Sequence, residues 1–304
     1  MSATQTQSSI RAALDIVADR WTLMMLRELF SGTETWRDLT QALTISPTTL
    51  KRRLDQLTKA EIINREQLSG RKQVKYRLTD RGIDLFPFLM AAREWQLDWD
   101  ARPEANVSQW LHTCGKPMRC KAYCEHCREP LLTADIKLVD QNLVITGTKT
   151  DSRRYRQPAS ESSNLIADRN PERPKIIDIL GESRTTLIMA ALLRGINRFD
   201  DIQRFTDLPP ATVSNRLRRI QLLDLGHTRL YQENPDRVLY EPNAAGKDLL
   251  IVSLQLMQWS NKWLQSSLQK PTTARHHPCG HTLGSVMHCK HCLEEVTFAS
   301  TKRV

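Results

Sequence analysis

The feature that most constrains this chain is an internal repeat. Residues 112–127 and 277–292 carry the same Cys/His pattern at a constant separation of 165 positions. The matching pairs are His112 with His277, Cys114 with Cys279, Gly115 with Gly280, Cys124 with Cys289, His126 with His291, and Cys127 with Cys292. Cys120 has no counterpart, because Ser285 stands at its matching position. A repeat of about half the chain is too long for a solenoid and indicates a duplicated domain.

The repeat extends upstream as an apolar pattern, at a separation of 163 to 164 positions. In that order, Trp36, Leu39, Ile45, Leu50, Leu54 and Leu57 match Phe199, Ile202, Leu208, Val213, Leu217 and Ile220. Further on, Tyr76, Gly82, Leu85, Trp95 and Trp99 match Tyr240, Gly246, Leu249, Trp259 and Trp263. A chain of 304 residues has room for two such domains.

Residues 35–60 of the first unit carry the pattern of two short helices. Apolar residues recur at helical spacing from Trp36 to Leu43, and Thr35 is a candidate N-cap. Ser46 and Pro47 then provide an N-cap and a first-turn proline for a second helix, which would bury Leu50, Leu54 and Leu57. Two short helices joined by a tight turn predict a helix-turn-helix.

The remainder of the unit predicts a wing and a long helix. Segments 62–68 and 73–78 have the pattern of a β-hairpin, and Thr79 and Asp80 open a predicted helix over 80–99. The apolar stripe of that helix is wide enough to dock another helix, either between units or between chains. The second unit repeats the plan, with predicted helices at about 184–194, 199–205, 210–223 and 244–268 and a hairpin turning at 234–236.

We therefore predict an α+β fold that is mainly α-helical with small β-hairpins. It comprises two winged helix-turn-helix domains, each followed by a small Cys/His zinc module. The predicted boundaries are 1–107 for the first domain, 108–148 for its zinc module, 149–174 for a linker rich in Ser, Arg, Asn and Pro, 175–270 for the second domain, and 271–304 for its zinc module.

Charge and motif together predict double-stranded DNA as the partner. A net charge of +10 suits a polyanion, although it is weak evidence alone. A recognition helix presents its outward side chains to base edges, while basic residues of the helix and wing grip phosphates. The candidate DNA-binding residues are Thr48, Thr49, Lys51, Arg52, Arg53, Arg71, Lys72 and Lys75 in the first unit, and Thr212, Ser214, Asn215, Arg216, Arg218 and Arg219 in the second. The alternative is that Arg52-Arg53 and Arg218-Arg219 are only solvated faces of ordinary helices.

The Cys/His repeats predict two structural zinc ions per chain. Two side chains spaced i, i+2 share one face of a strand, and a C-x-x-C turn offers two thiolates to the same ion. The predicted sets are His112, Cys114, Cys124 and Cys127 in the first unit, and His277, Cys279, Cys289 and Cys292 in the second. His126 and His291 remain alternatives for the fourth ligand, a redox dithiol remains an alternative to a metal site, and Cys120 has no assigned role.

With these residues in place, the first unit resembles the HxlR family of bacterial winged helix-turn-helix regulators. The matching stretches are Leu14-Asp15-Ile16-Val17, Arg20-Trp21-Thr22-Leu23, Leu26-Arg27-Glu28-Leu29 before Gly32, Ile45-Ser46, 50–57, Tyr76-Arg77-Leu78-Thr79 with Gly82, and 87–95. The second unit departs from the pattern at Arg184 and at Tyr240-Glu241-Pro242-Asn243. The resemblance implies dimeric DNA binding through the major groove. The cysteine with which some members sense oxidants is not carried over, because Ser8-Ser9-Ile10 stands there.

The expected function is that of a sequence-specific transcription regulator whose two recognition helices make one chain a pseudo-dimer. The competing interpretation is a nucleic-acid-associated scaffold or adaptor whose zinc modules bind a protein. Paired carboxylates and a Ser/Cys-His arrangement with supporting spacing are lacking, so we expect no enzyme activity. Neither a signal peptide nor an apolar run of membrane-spanning length is recognised, and we expect a cytoplasmic, nucleoid-associated bacterial protein.

Overall fold

The computed structural model describes residues 9–67, 74–100, 109–139, 174–233, 236–264 and 273–304. Within these ranges the chain is rich in helix and forms five two-stranded antiparallel sheets. This agrees with the predicted α+β class. None of the described helices combines the length and the apolarity that crossing a membrane would require.

The first unit begins with the predicted helix-turn-helix and hairpin. Its elements are α1 (Ser9–Val17), α2 (Arg20–Phe30), α3 (Trp36–Leu43), α4 (Pro47–Lys59), β1 (Ile63–Gln67), β2 (Val74–Leu78), α5 (Asp80–Ile83) and α6 (Phe86–Trp99). Thr35 and Ser46 cap α3 and α4 as predicted, since their hydroxyl oxygens accept from the backbone N–H groups of Asp38 and Thr49. Residues 68–73, at the predicted tip of the wing, lie outside the described residues.

The prediction of one continuous helix over 80–99 was wrong. The segment divides into α5, capped by Thr79, and α6, which begins at Phe86. Pro87 explains the division, because its ring clashes with the preceding turn and its nitrogen has no hydrogen to donate to Ile83. The corresponding position of the second unit is Ile251, and there the helix is unbroken over 20 residues.

The second unit follows the same order. Its elements are α7 (Lys175–Leu180), α8 (Ser183–Leu192), α9 (Phe199–Thr206), α10 (Pro210–Leu222), β6 (Gly226–Glu233), β7 (Asp236–Pro242) and α11 (Ala244–Trp263). The predicted continuation of α11 over 265–268 lies outside the described residues, as does the predicted linker 149–174 apart from Pro174.

The Cys/His segments form strands that pair between the units. These strands are β3 (Trp110–His112), β4 (Cys120–Cys124), β5 (Ile136–Leu138), β8 (Ala274–His276), β9 (Ser285–Cys289) and β10 (Thr301–Arg303). Each first-unit strand pairs antiparallel with a second-unit strand: β3 with β10, β4 with β9, and β5 with β8. In β4 and β9, Ala122 lies opposite Met287, its own repeat equivalent. A two-fold relation between the units therefore passes through this strand pair.

Helices α6 and α11 pack together across the units through reciprocal tryptophan contacts. The indole N–H of Trp95 donates to the Ala245 carbonyl at 2.8 Å, and that of Trp259 donates to the Arg81 carbonyl at 2.8 Å. The indole N–H groups of Trp99 and Trp263 donate to Asp248 (3.1 Å) and Asp84 (2.8 Å) respectively. In each exchange the two donors are 164 positions apart and so are the two acceptors, so the same surface of each unit binds its equivalent.

A second reciprocal contact joins the residues that cap α2 and α8. Asp19 and Glu182, which are 163 positions apart, pair through their backbones in an antiparallel bridge. The backbones of the two units approach so closely here that a Cβ added at Gly181 would lie 2.8 Å from the Arg20 Cα. Glycine at this position therefore permits the contact between the units.

The buried apolar core is continuous across both units. Phe298 of the second unit packs on Phe30 and Phe86 of the first, with ring centroids 5.2 and 5.5 Å apart, and Phe86 also packs on Trp110 at 5.6 Å. The C-terminal segment of the chain thus completes the core of the first unit.

Candidate nucleic-acid interface and metal centres

Helix α4 presents one polar face outward. Leu50, Leu54 and Leu57 are buried beneath it, which leaves Thr48, Lys51 and Arg52 exposed. Thr49 is half-buried, and its hydroxyl accepts from that of Ser46 at 2.8 Å. The exposed face also carries Asp55, Gln56 and Lys59. Its charge is therefore net positive and suited to phosphate.

The structure corrects the interpretation of Arg53 as a DNA-binding residue. Its side chain is only 7% exposed and forms an ion pair with Asp19, while a second guanidinium nitrogen donates to Gln56 at 2.9 Å. A guanidinium held inward by these partners does not reach a duplex placed against the outer face of α4. Arg53 instead fixes α4 to the start of α2.

Helix α10 shows the same division between outward and inward residues. Ser214, Asn215 and Arg218 are exposed, while Val213, Leu217 and Ile220 are buried beneath them. Thr212, Arg216 and Arg219 are half-buried. Acidic residues do not occur between Pro210 and Leu222, so this face is more uniformly basic than that of α4.

Arg216 repeats the inward ion pair of Arg53. Its Nε lies 3.2 Å from Glu182 Oε2, and its side chain is 15% exposed. Arg216 stands 163 positions after Arg53, and Glu182 stands 163 positions after Asp19. The expectation that Arg216 faces DNA is therefore also corrected. Sequence alone could have indicated this, because Arg53 and Arg216 are the basic pair that the repeat preserves on the two recognition helices.

The wings are described in part. Arg71 and Lys72 lie outside the described residues. Lys75 is half-buried, and its ammonium group contacts Glu34 at 2.8 Å. Partly exposed ion pairs of this kind are weak, so the contact with Glu34 does not fix Lys75 strongly in place.

A polar cleft beside the second wing was missed from the sequence. It has a volume of about 550 Å³ between the start of α9 and the β6–β7 hairpin. Arg198 donates to the Tyr231 hydroxyl at 3.0 Å, and hydrogen bonds from Arg198 and Arg237 lower the pKa of that phenol. Arg204 also lines the cleft, together with Asp200 and Asp201. The useful sequence signal was Arg237, which directly follows the predicted hairpin turn.

Six of the seven cysteines fall into two sets of three, each completed by one histidine, and Cys120 belongs to neither set. One set contains His112, Cys114, Cys289 and Cys292, and the other contains Cys124, Cys127, His276 and Cys279. In each set the candidate ligand atoms all lie within 4.8 Å of one another. The sets differ from the predicted ones, because each combines the His/Cys pair of one unit with the C-x-x-C pair of the other.

The distances within each set suit a tetrahedral ion. The sulfurs of Cys114 and Cys289 are 4.0 Å apart, and the Nδ1 of His112 lies 3.3 Å from the sulfur of Cys292. In the other set, the corresponding distances are 3.9 Å for Cys124 and Cys279 and 3.3 Å for Cys127 and His276. Zinc bonds of about 2.3 Å to sulfur and about 2.0 Å to nitrogen imply tetrahedral edges of about 3.8 Å between two sulfurs and about 3.5 Å between sulfur and nitrogen. The donor sets therefore fit zinc.

In each C-x-x-C pair, hydrogen bonds from backbone N–H groups lower the thiol pKa of one cysteine. Burial raises the pKa of the Cys124 thiol, but the N–H groups of Cys127 and His126 donate to its sulfur and bring the pKa below the ordinary value. Cys289 has the same surroundings from His291 and Cys292, and its pKa is also lowered. A lower pKa favours the thiolate, which is the form that binds metal.

The histidine assignment in the second unit also differs from the prediction. His276 is fully buried and faces the thiols, whereas His277 is exposed. The sequence held the signal, because the upstream separation of 164 positions aligns His112 with His276, while the Cys/His separation of 165 aligns it with His277.

The alternative histidines lie outside both four-residue sets. The His126 ring stacks on that of His281 at 3.4 Å between centroids, next to Cys279, and His291 joins neither set. Cys120 is buried, and burial raises the pKa of its thiol well above the ordinary value. It therefore remains a neutral thiol in the packing between β4 and α6.

The sequence was compared with known proteins. The model of the HxlR-like helix-turn-helix family matches residues 16–104 and again residues 179–268. An HTH-type transcriptional regulator of Mycobacterium tuberculosis, itself uncharacterised, is 34% identical over 123 residues, which cover 40% of this chain and 78% of that protein. The uncharacterised HTH-type transcriptional regulator YvaP of Bacillus subtilis is 29% identical over 98 residues, or 32% of this chain and 91% of that protein.

The chain was also compared with solved structures. The crystal structure of a candidate transcription factor shares 28% identity, covers 40% of this chain and 87% of that one, and superposes with a TM-score of 0.38. The aligned stretches of the two named regulators, 98 and 123 residues, are each about one unit long, whereas the family model matches this chain twice. The chain belongs to the HxlR-like helix-turn-helix family and carries the family's domain in two copies.

Proposed function

We propose that this chain is a sequence-specific DNA-binding transcription regulator in which one polypeptide supplies both recognition helices. The observation that carries the proposal is the reciprocal arrangement of α4 and α10. Each presents an exposed basic face, and each is fixed by an inward arginine to one residue of the Asp19–Glu182 bridge. The names of the M. tuberculosis and B. subtilis relatives support the assignment to transcription.

The packing of the units supports a pseudo-dimer. A dimer of one-domain chains buries the same patch of each subunit, so residue contacts are exchanged in pairs. The tryptophan exchanges between α6 and α11 have this reciprocal form within a single chain. Two recognition helices related in this way would enter successive major grooves.

The exposed faces of α4 and α10 differ, which predicts an asymmetric operator. At the equivalent positions 163 residues apart, Lys51 corresponds to Ser214, Arg52 to Asn215, and Asp55 to Arg218. Arginine pairs best with guanine, whereas asparagine pairs best with adenine. The two halves of the DNA site should therefore differ in sequence, although they are read by equivalent positions.

Selection from a random DNA pool, followed by binding measurements, tests this function. We expect Arg52→Ala and Asn215→Ala each to relax base preference in a different half of the selected site, at a cost of about 1–3 kcal/mol per lost base contact. Lys302→Ala is the matched control, because it removes an exposed positive charge on β10, away from both recognition helices. Equal, small effects of all three variants, or binding without sequence preference, would contradict the assignment.

We further propose that the two Cys/His sets hold structural zinc. Each set offers three sulfurs and one imidazole, which is a complete tetrahedral shell without an open position for a substrate. Zinc in such a site contributes stability to the fold rather than chemistry. Metal analysis of the purified chain should find about two zinc ions per molecule, and a value near zero would refute the proposal.

A further inference from the structure

Each ligand set takes its residues from both units, unlike a zinc module formed within one unit. His112 and Cys114 belong to the first unit, whereas Cys289 and Cys292, which complete their set, belong to the second. The other set reverses this arrangement, with Cys124 and Cys127 from the first unit and His276 and Cys279 from the second. A metal ion in either set would bond to both units at once.

We propose that these crossed metal sites are cross-links between the two winged-helix units and that their occupancy sets the spacing of the recognition helices. The DNA-binding part of this inference rests on the proposed function, whereas the metal-binding part does not. Like the strand pairs β3–β10, β4–β9 and β5–β8, these metal cross-links would hold the two units together.

A metal ion would add stability to this region, because two of its three strand pairs between the units are short. The paired strands β3–β10 and β5–β8 are only three residues long, and two-stranded sheets of that size are marginal without further support. The region also concentrates three thiols and one imidazole at each site. Coordination would add bonds between the units at each site, so metal binding and closure of the junction are coupled.

On the first-unit side, an ionic cluster joins a metal site to α6. Lys290 lies between Cys289 and Cys292, and its ammonium group contacts Glu94 of α6 at 3.1 Å. Arg119, next to β4, contacts the same carboxylate at 2.9 Å, and its carbonyl accepts from the Lys290 backbone N–H at 2.8 Å. A change in the position of the Cys289–Cys292 turn would therefore move a partner of Glu94, which is a buried residue of α6.

On the second-unit side, hydrogen bonds join the same strands to α11. Ser285 on β9 donates to Gln258 at 2.7 Å, and Gln255 donates to the Ser285 hydroxyl at 2.5 Å. The docking helices α6 and α11 are thus both attached to the strands that carry the ligands. Helices α6 and α11 also join the two winged-helix domains. A movement of the metal sites would therefore be transmitted to the recognition helices.

Zinc counts in paired variants of the full-length chain test the crossing directly. Cys114→Ser with Cys292→Ser damages one set if the ligands cross, so we expect one of the two zinc ions to be lost. Cys114→Ser with Cys127→Ser damages both sets, so we expect both ions to be lost. Modules formed within each unit predict the reverse, with two ions lost in the first variant and one in the second, and that result would overturn the inference.

Cys120→Ser is the matched control, because Cys120 belongs to neither set and serine already stands at the equivalent position 285. It should retain both ions. If a variant does not fold, partial chelation of the wild-type chain followed by alkylation and mass spectrometry replaces the variants. Cys114, Cys289 and Cys292 should then become reactive together, separately from Cys124, Cys127 and Cys279, and joint reaction of Cys114 with Cys124 and Cys127 would overturn the crossing.

Affinity for the selected operator tests the second part of the inference. Two DNA contacts held in register gain about 10²–10⁴-fold over one. Loosening the junction should forfeit part of this gain, so we expect at least about tenfold weaker binding by the Cys114→Ser/Cys292→Ser chain than by Cys120→Ser. Crossed zinc loss with unchanged operator affinity would refute the control of spacing. Failure of the zinc-loaded wild-type chain to bind a specific sequence would instead refute the proposed function.

Discussion

Arg52 and Arg53 are adjacent in sequence but have different surroundings. Arg52 is exposed on the outer face of α4, whereas Arg53 is buried against Asp19 and Gln56. The charges of α4 alone predicted a basic helix but did not assign a role to each arginine, whereas comparison of the two repeats would have singled out Arg53, which is preserved as Arg216. The ion pair is thus a structural contact made by a helix whose outer face we propose recognises DNA.

The two arginines should separate stability from DNA binding. Arg53→Ala leaves the Asp19 carboxylate without its ion pair, and we expect the free energy of unfolding to fall by about 2–3 kcal/mol, since Asp19 retains some contact with solvent. Arg52→Ala should change stability by less than about 0.5 kcal/mol, as is usual for an exposed side chain. Urea denaturation of both variants measures this difference, and equal stabilities would show that the buried pair contributes nothing.

For the helices, capping residues and prolines predicted the ends of the elements better than apolar periodicity did. Thr35 and Ser46 correctly marked the starts of α3 and α4, because a side-chain oxygen at that position satisfies a free backbone N–H. The apolar stripe suggested one helix over 80–99, whereas Pro87 divides it. Apolar periodicity indicates which face of a helix is buried. It does not reveal a break in the helix when the segments on both sides of the break bury the same face.

The two equivalent tryptophan hydrogen bonds between α6 and α11 should contribute equally to the stability of the fold. Trp95→Phe and Trp259→Phe each remove one indole N–H and leave a carbonyl without its donor, so we expect each to lower stability by about 1–2 kcal/mol. Thermal denaturation of the two variants should give similar shifts. Trp36→Phe is the control, because the described contacts give its indole no hydrogen bond. A large shift in one of the pair and none in the other would contradict the reciprocal packing.

For the whole molecule, the repeat predicted two domains but not how they combine. Two equivalent Cys/His segments can form sites within each unit or between units, and the residue spacing is the same in both cases. The choice depends on which strands pair, and β3, β4 and β5 all pair with strands of the other unit. Long-range pairing of this kind is set by packing of the complete chain, so the crossed ligand sets could not be obtained from the motif.

We propose that one chain provides a complete pair of recognition helices. The most direct test measures the mass of the complex with the selected operator by native mass spectrometry and its footprint by hydroxyl-radical cleavage. A single-chain pseudo-dimer predicts one chain per operator, protecting two successive major-groove segments of different sequence on one face of the duplex. Two chains on a palindromic operator, with each chain protecting one half-site, would contradict it.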